Sequence, residues 1–218
     1  MPFTDVHPVL MIIAGPAGSG KTTLAERIVA EVPGVEKVVT ATTRPARPGE
    51  VDGRDYHFLS EEAFDAAVAR GEFLEWARVH KKHRYGTFKR AVHEKLAAGI
   101  SLVMNVDVQG VHSIKDVSKS DPLIRKALVT IFIAPLVKDV ARGTTSYRPD
   151  MEELRSRLIY RGHDDEEEIK RRLATAEEET KSIDIFDKVI ESGSRKADFA
   201  NVLAVWQEKT QQVTGRQS

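Results

Sequence analysis

The sequence predicts an α/β protein in which helices flank a parallel β-sheet. Short apolar runs alternate along the chain with segments of helical periodicity, and strands that alternate with helices are typical of a parallel sheet. These runs lack polar alternation, as expected of strands buried on both faces. The chain has 218 residues, of which 41% are hydrophobic and 30% charged. This length is enough for one core with inserted subdomains. The composition excludes a mostly disordered chain.

The first half of the chain begins with a clear strand–loop–helix pattern. Val9–Ala14 is a continuous apolar run that ends at Gly15-Pro16, typical of a buried strand, and Leu24 and Ile28 follow at helical spacing. The order is therefore strand, glycine-rich loop, helix. Further predictions in this half are a short strand at Val38–Thr42, a turn at Asp52-Gly53, a helix at Glu61–Arg70 capped by Ser60, a strand at Phe73–Val79 and a helix at Phe88–Ala98.

The second half repeats the alternation. Ile100–Val106 is a buried-strand pattern followed by a polar turn at Asp107–Gly110, and Leu128–Ala134 is a further apolar run closed by Pro135. The remaining predictions are charged helices at Met151–Tyr160 and Glu166–Lys181, a strand at Val189-Ile190 and a closing amphipathic helix at Ala197–Gln207.

Composition and charge exclude several classes of function. The sequence contains no cysteine, which excludes disulfides, Cys-ligated zinc and a thiol nucleophile. Lys plus Arg (33) equals Asp plus Glu (33), so no net basic field favours nucleic acid as a partner. Val9–Ala14 is too short to span a bilayer, and Met1–Pro8 carries no Lys or Arg and does not read as a signal peptide. We expect a cytoplasmic protein that engages no membrane.

The glycine-rich loop has the pattern GxxxxGK[ST] between a predicted strand and a predicted helix. Its glycines let successive backbone N–H groups face an anion, and the helix N-terminus adds partial positive charge. Lys21 is expected to contact the β- and γ-phosphates, and the Thr22 hydroxyl to ligate Mg²⁺ together with phosphate oxygens and water. The alternative is a turn that binds nothing. The predicted ATP-binding residues are Gly15, Pro16, Ala17, Gly18, Ser19, Gly20, Lys21, Thr22 and Thr23.

From residue 40 onward the sequence resembles the guanylate kinase family. The segment from Thr42 to Phe58 is similar to the family pattern T-T-R-x-x-R-x-G-E-x-x-G-x-D-Y-x-F. The blocks that follow in the family's order are Gly71–Ala77, Tyr85-Gly86-Thr87, Asp107–Gly110, Arg157-Leu158, Arg161-Gly162 and Arg171–Leu173. The resemblance spans roughly residues 9–190. It implies a P-loop core with an inserted mixed α+β GMP-binding subdomain and a helical lid.

The chemistry of three residues is suited to binding the acceptor nucleotide. Arg44 and Arg47 are three residues apart on a proline-rich loop, so both guanidinium groups can converge on one phosphate. A carboxylate such as Glu75 accepts hydrogen bonds only, and guanine offers two adjacent donors at its N1/N2 edge. Without the resemblance, Glu75 would be read as a solvent-facing acid. The GMP-binding residues that the resemblance implies are Thr40, Arg44, Arg47, Tyr56, Glu75, Tyr85, Thr87 and Asp107.

The resemblance also selects cations for catalysis. Phosphoryl transfer needs positive charge around the transferring group more than covalent chemistry. Arg157, Arg161 and Arg172 match lid arginines of the family, although a charge run of this kind is usually a solvated helix face. With them, Lys21 and Arg44 complete the expected catalytic set.

The sequence departs from the family pattern in three places. Lys138–Asp150 looks inserted before the lid, and Val79–Arg84 is more basic than usual. Ser192 stands where the family has an Asn that approaches the adenine. The identity of the donor base is therefore less specified than that of the acceptor.

The resulting prediction is a kinase that transfers the γ-phosphate of ATP to GMP with Mg²⁺, acting as a monomer or homodimer. Its core is expected at about residues 1–38, 92–150 and 182–218, the GMP-binding subdomain at about 39–91 and the lid at about 151–181. The alternatives are a non-catalytic guanylate-kinase-like binding module and a ribose-bisphosphate phosphokinase on the same scaffold.

Overall fold

The secondary structure follows the predicted alternation. A computed structural model of the chain describes residues 7–79, 83–141, 144–162 and 164–214. The elements are, in order, β1 (Leu10–Ala14), α1 (Lys21–Glu31), β2 (Val35–Lys37), β3 (Ala41–Thr42), β4 (His57–Phe58), α2 (Glu61–Ala69), β5 (Phe73–Val79), β6 (His83–Phe88), α3 (Lys89–Ala97), β7 (Ser101–Asn105), α4 (Val108–Ser120), α5 (Pro122–Ala127), β8 (Leu128–Ala134), β9 (Leu136–Ala141), β10 (Thr144–Pro149), α6 (Met151–Arg161), α7 (Glu166–Thr180), a 3₁₀ turn (Ile183–Ile185), β11 (Lys188–Glu191) and α8 (Arg195–Thr214).

The central sheet has the strand order β11-β8-β1-β7-β2, and all of its neighbouring strands are parallel. All residues of β1 are buried. Leu10, Ile12 and Ala14 pack into the core on one face of the sheet, whereas Met11 and Ile13 pack into the core on the other. Because both faces are covered, the strands read as unbroken apolar runs in the sequence.

A second, four-stranded sheet has the order β4-β3-β6-β5 and mixes parallel with antiparallel pairs. The predicted single strand at Val38–Thr42 is wrong. The chain leaves the central sheet after Lys37, just before the predicted strand, and enters the second sheet at Ala41, so only Ala41 and Thr42 of the predicted segment form a strand. The second sheet packs β5 against α4 of the core, with Leu74 in the main hydrophobic cluster.

The predicted polar turn at Asp107–Gly110 is the first turn of α4. The Asp107 side chain caps this helix, because its Oδ1 accepts a hydrogen bond from the backbone N–H of Gly110 at 2.8 Å. Helix α4 continues with Val111 and Ile114 buried against the core. The sequence interpretation predicted only a polar turn here and missed the helix that begins with it.

The segment that looked inserted before the lid forms the antiparallel hairpin β9–β10, which pairs Leu136 with Pro149 at its base. Helices α6 and α7 follow and pack against each other, and α7 also contacts β10. Helix α6 is capped by Asp150 and ends at Gly162, whose φ of 68° is the left-handed conformation that favours glycine.

The fold class predicted from the sequence is confirmed: a parallel sheet flanked by helices, with a separate mixed sheet and a helical segment near the C-terminus. In the part of the chain that the structure describes, no helix is long and apolar enough to cross a membrane.

Candidate active site

The glycine-rich loop curls between β1 and α1, at the carboxyl edge of the central sheet. Gly15, Gly18 and Gly20 all have positive φ, between 88° and 136°. A β-carbon on Gly15 would lie 2.1 Å from the carbonyl oxygen of Ile133 in β8, so the loop fits against the sheet only with glycine at this position. The loop thus has the curled backbone that a phosphate cradle requires.

Lys21 begins α1 and turns its ammonium group back into the loop. Its Nζ donates hydrogen bonds to the carbonyl oxygens of Gly15 at 2.6 Å and Pro16 at 2.8 Å. Loss of hydration lowers the pKa of Lys21 to about 8, while the nearby charge of Glu179 opposes this shift. The neighbouring residues Thr22 and Thr23 are exposed at the mouth of the loop.

The lid helices bring two further cations to Lys21. The positive charges of Arg161 and Arg172 both lower the pKa of Lys21, which places them close to its ammonium group. Arg172 is held by Asp164 at 3.0 Å and by Glu168 at 2.8 Å. Arg161 ends α6 and is exposed. Arg161 and Arg172 are therefore near enough to the phosphate loop for their charges to act on Lys21.

Arg157 takes a different position from the other lid arginines. Its guanidinium donates to Ser192 Oγ at 2.8 Å and to the Gly193 carbonyl oxygen at 3.4 Å, in the loop after β11. Ser192 in turn donates to the buried Asp198 at 2.9 Å. The lid is packed down here, since a β-carbon on Gly18 would lie 3.7 Å from Cβ of Arg157. Arg157 thus connects the lid to the loop that departs from the family pattern.

Glu75 is a buried carboxylate, with 7% of its surface exposed. Its Oε1 accepts a hydrogen bond from the Thr87 hydroxyl at 2.6 Å across the β5–β6 pair. Burial raises the pKa of Glu75 to about 7, against the effect of the Thr87 hydrogen bond, and Asp107 adds to the rise. The alternative of a solvent-facing acid is therefore excluded for Glu75.

The second oxygen of Glu75 faces α4. A β-carbon on Gly110 would lie 3.1 Å from Glu75 Oε2, so the absence of a side chain at this position leaves room for the carboxylate. Asp107 caps the same helix and raises the pKa of both Glu75 and Glu179. Asp107 therefore lies between the acid on the second sheet and the acid beside the phosphate loop.

The arginine loop is organised by Glu50, which the sequence interpretation left without a role. Glu50 accepts from Arg44 Nη2 at 2.8 Å through one oxygen and from the backbone N–H of Arg47 at 2.7 Å through the other. Hydrogen bonding to Glu50 raises the pKa of Arg44. The guanidinium of Arg44 also lies 5.3 Å from the ring centre of Tyr56.

The two expected tyrosines lie beside Arg44. The ring centres of Tyr56 and Tyr85 are 6.0 Å apart, edge to face, and burial raises the pKa of Tyr56. Thr40 lies at the start of the same sheet, where its carbonyl oxygen accepts from the His57 backbone at 2.9 Å. Arg47 is exposed at the tip of the loop. Arg44, Tyr56 and Tyr85 thus lie together beside the second sheet, and Arg47 belongs to the same loop as Arg44.

The sequence interpretation gave no role to two residues of the candidate site, Glu179 and Gly110. Glu179 lies in a run of three glutamates on a charged helix, where position gives no sign that one of them turns inward. Gly110 was quoted within its motif without a role. Of the basic segment Lys81-Lys82-His83-Arg84, the two lysines lie outside the described residues, while Arg84 is buried against Glu61 and Asp65 of α2.

Comparison with known proteins gives one consistent result. A profile of the guanylate kinase family matches residues 7–204. The chain is 36% identical over 197 residues to a guanylate kinase of Rhodopseudomonas palustris, covering 90% of this chain and 80% of that protein. It is 42% identical over 183 residues to one from Gloeobacter violaceus, covering 83% and 79% of the two chains.

A solved structure supports the fold independently. The crystal structure of guanylate kinase from Anaplasma phagocytophilum matches with a TM-score of 0.67 at 23% identity, covering 95% of this chain and 88% of that one. The profile match and the identities to the curated relatives together span most of the sequence. The chain therefore belongs to the guanylate kinase family.

Proposed function

We infer that this guanylate kinase transfers the γ-phosphate of ATP to GMP and releases ADP and GDP. In this reaction an oxygen of the GMP phosphate attacks the γ-phosphorus in line, and the bond from the γ-phosphorus to the bridging oxygen of ADP breaks. No nucleophilic side chain is needed. The protein's own contribution is to position the two nucleotides, neutralise charge and exclude water.

The observation that carries this proposal is the buried Glu75 carboxylate on the second sheet. One oxygen accepts from Thr87, and the other faces the space that Gly110 leaves open. Guanine N1–H and its N2 amino group are donors that match a carboxylate, whereas adenine presents an acceptor at N1 and nothing at C2. We propose that Glu75, Thr87 and Thr40 hold guanine, with Asp107 beside them.

Positively charged and phenolic side chains indicate where the phosphate of GMP would bind. We propose that Arg44, Arg47, Tyr56 and Tyr85 bind the phosphate of GMP, because Arg44 lies beside Tyr56 and Tyr85 and shares its loop with Arg47. Glu50 holds Arg44 and the backbone of Arg47 in register, a fixed arrangement that reduces the entropy lost on binding.

The donor phosphates would rest on the loop of residues 15–23. We propose that Lys21, Arg161 and Arg172 stabilise the charge that develops during transfer, since the charges of both arginines act on Lys21. Arg157 would contribute from the side of the donor base, where it meets Ser192.

The residues present fit a magnesium ion carried by ATP. No group of three or more His, Cys, Asp or Glu side chains that could cage a metal occurs in the described residues. Mg²⁺ keeps several waters and binds through few protein ligands plus substrate phosphates, so one hydroxyl at the loop is a sufficient ligand from the protein. Thr22 is exposed at the loop and would supply the protein ligand. When bound, Mg²⁺ neutralises charge on the β- and γ-phosphate oxygens.

We propose the three-part division of the chain that the sequence predicts: a core at about residues 1–38, 92–150 and 182–218, a GMP-binding subdomain at about 39–91 and a lid at about 151–181. The course of the chain supports it, because β2 is the last strand of the central sheet before the second sheet begins and α6 begins the lid. We place the protein in the cytoplasm, where both nucleotides occur.

A non-catalytic binding module is the alternative of a different class. The intact phosphate loop with Lys21 and Thr22 argues against it. A ribose-bisphosphate phosphokinase would not require the buried Glu75 or the ordered arginine loop.

The test is an ADP-release assay with GMP, AMP, CMP and a ribose bisphosphate as acceptors, for the wild-type protein and Glu75→Ala. We expect turnover of GMP and at most traces with AMP, because a site built on hydrogen bonds rejects the wrong partner by about 10⁴-fold. Glu75→Ala should reduce kcat/KM for GMP by at least about 10²-fold and lower the GMP/AMP ratio.

Lys21→Ala is the control for the donor side and should abolish turnover of every acceptor. Absence of turnover by the wild-type protein would support the binding-module alternative. Equal losses for GMP and AMP in Glu75→Ala would show that Glu75 is structural.

A further inference from the structure

Glu179 is a half-buried acid that the mechanism above does not use. It lies in the last turn of α7, and its Oε2 is buried with no hydrogen-bond partner among the described residues. Burial raises the pKa of Glu179. A buried carboxylate oxygen without a partner costs free energy, so such an atom calls for a ligand that is present when the protein works.

The charges that influence Glu179 belong to Lys21 and Asp107, so Glu179 lies near the phosphate loop. The charge of Lys21 lowers its pKa, whereas that of Asp107 raises it. Glu179 and Lys21 nevertheless form no ion pair within 4.0 Å among the described residues, because the ammonium group of Lys21 donates to the loop carbonyls. Glu179 is thus near enough to influence this cation and does not contact it.

Other polar atoms around the loop also lack partners. The hydroxyl of Ser19 is buried and unpartnered among the described residues, with 1% of the residue exposed. The side-chain carbonyl oxygen of Asn105 is likewise unpartnered, and the β1–β7 register places Asn105 opposite Ile13, two residues before the loop begins. Glu179, Ser19 and Asn105 therefore each carry a buried polar atom that has no hydrogen-bond partner in the described part of the chain.

The nature of that ligand follows from charge. A carboxylate repels a polyphosphate, so the phosphate itself is the wrong partner for Glu179. Waters on a divalent cation are donors that are compatible with both, because carboxylates accept from them while the cation binds the phosphate oxygens. We propose that Glu179 is a positioning residue that accepts hydrogen bonds from the water shell of the magnesium ion carried by ATP, a role that rests on the proposed function.

Calorimetric titration of ADP with and without MgCl₂ tests this role in wild-type protein, Glu179→Gln and Glu177→Gln. Glu177 is an exposed neighbour on the same helix and is the matched control. Loss of such an outer-shell partner costs about 10–100-fold in metal affinity. We expect the Mg²⁺-dependent gain in ADP affinity to fall by at least about 10-fold in Glu179→Gln and to be retained in Glu177→Gln.

Metal-free ADP should bind Glu179→Gln as well as wild type or more tightly, because a repulsive charge is gone. An equal loss with and without Mg²⁺ would mean that Glu179 is structural, and a full Mg²⁺-dependent gain would also overturn the proposal. If Glu179→Gln does not fold, Glu179→Asp allows the same comparison. A wild-type protein that binds ADP with no Mg²⁺-dependent gain would contradict the metal step of the proposed function itself.

Discussion

Glu75 is the residue whose protonation should be visible in binding. Its raised pKa of about 7 means that part of the unliganded protein carries a proton on this carboxyl group at neutral pH. Guanine donors require the ionised form, so GMP should displace that proton. We expect release of about one proton per GMP near pH 6, and little release at about pH 8.5.

This proton release is measured by calorimetry of GMP binding in two buffers that differ in ionisation enthalpy. Thr87→Val provides the control, because it removes the hydrogen bond that lowers the Glu75 pKa and should move the release to higher pH. Proton release that persists unchanged in Glu75→Gln would assign it to another group.

The raised pKa of Glu75 also predicts that the unliganded protein loses stability as the pH rises. A carboxyl group whose pKa is raised on folding binds its proton more tightly in the folded state, so the free energy of unfolding falls as pH rises from about 4.5 to about 7. Glu75→Gln removes this penalty and should stabilise the unliganded protein above pH 7 by up to about 3 kcal/mol. Thermal unfolding at about pH 5 and pH 8 checks this. A variant with the same change in Tm at both values would refute the explanation.

Gly110 should be intolerant of a side chain because Glu75 occupies the space. A β-carbon would lie 3.1 Å from Glu75 Oε2 and 3.0 Å from Cβ of Val106. We expect Gly110→Ala to raise the KM for GMP by about 10-fold, the equivalent of 1.4 kcal/mol, and to leave ADP binding unchanged. Steady-state kinetics with Gln109→Ala, an exposed neighbour, as the control would show whether the effect is specific.

At the scale of elements, two of the three arginines of the lid helix α6, Arg157 and Arg161, have different neighbours. Arg161 lies near Lys21, whereas Arg157 bonds to the loop after β11. Arg161→Ala should lower kcat by about 10²-fold with little change in the KM for GMP, as expected of a group that acts on the transition state. Arg157→Ala should instead raise the KM for ATP, because it ties the lid to the donor-base side. Identical kinetic changes in both variants would contradict this division.

The individual elements also show which parts of the secondary structure could be predicted from local sequence. Ser60, followed by Glu61 and Glu62, predicted the start of α2, and the hydroxyl of Ser60 caps that helix. Helix α4 was missed because its polar first turn reads as a loop, although apolar residues recur every third position from Val108 to Val117. Strand β6 was missed because Gly86 and the polar residues around it break the apolar pattern. The break at Val38–Thr42 depends on which sheet each residue joins, and local sequence carries no information about that.

At the scale of the whole molecule, motif spacing predicted the phosphate loop, whereas the resemblance to the guanylate kinase family selected Glu75 and the lid arginines. The inward turn of Glu179 was not predictable in this way. It depends on the packing of α7 against the phosphate loop, and those residues are more than 150 positions apart in the sequence.

The attachment of the second sheet has a mechanical consequence. Strand β5 packs on α4 of the core, and β3 and β4 lie on the far side of the sheet. If this sheet pivots about β5, Glu75 stays near the axis, whereas the arginine loop between β3 and β4 swings on a lever arm of about 10–14 Å, two to three strand spacings. The base would then be selected before the subdomain closes. Guanosine, which has no phosphate, should bind without shortening a donor–acceptor dye distance between the arginine loop and the core, whereas GMP should shorten it.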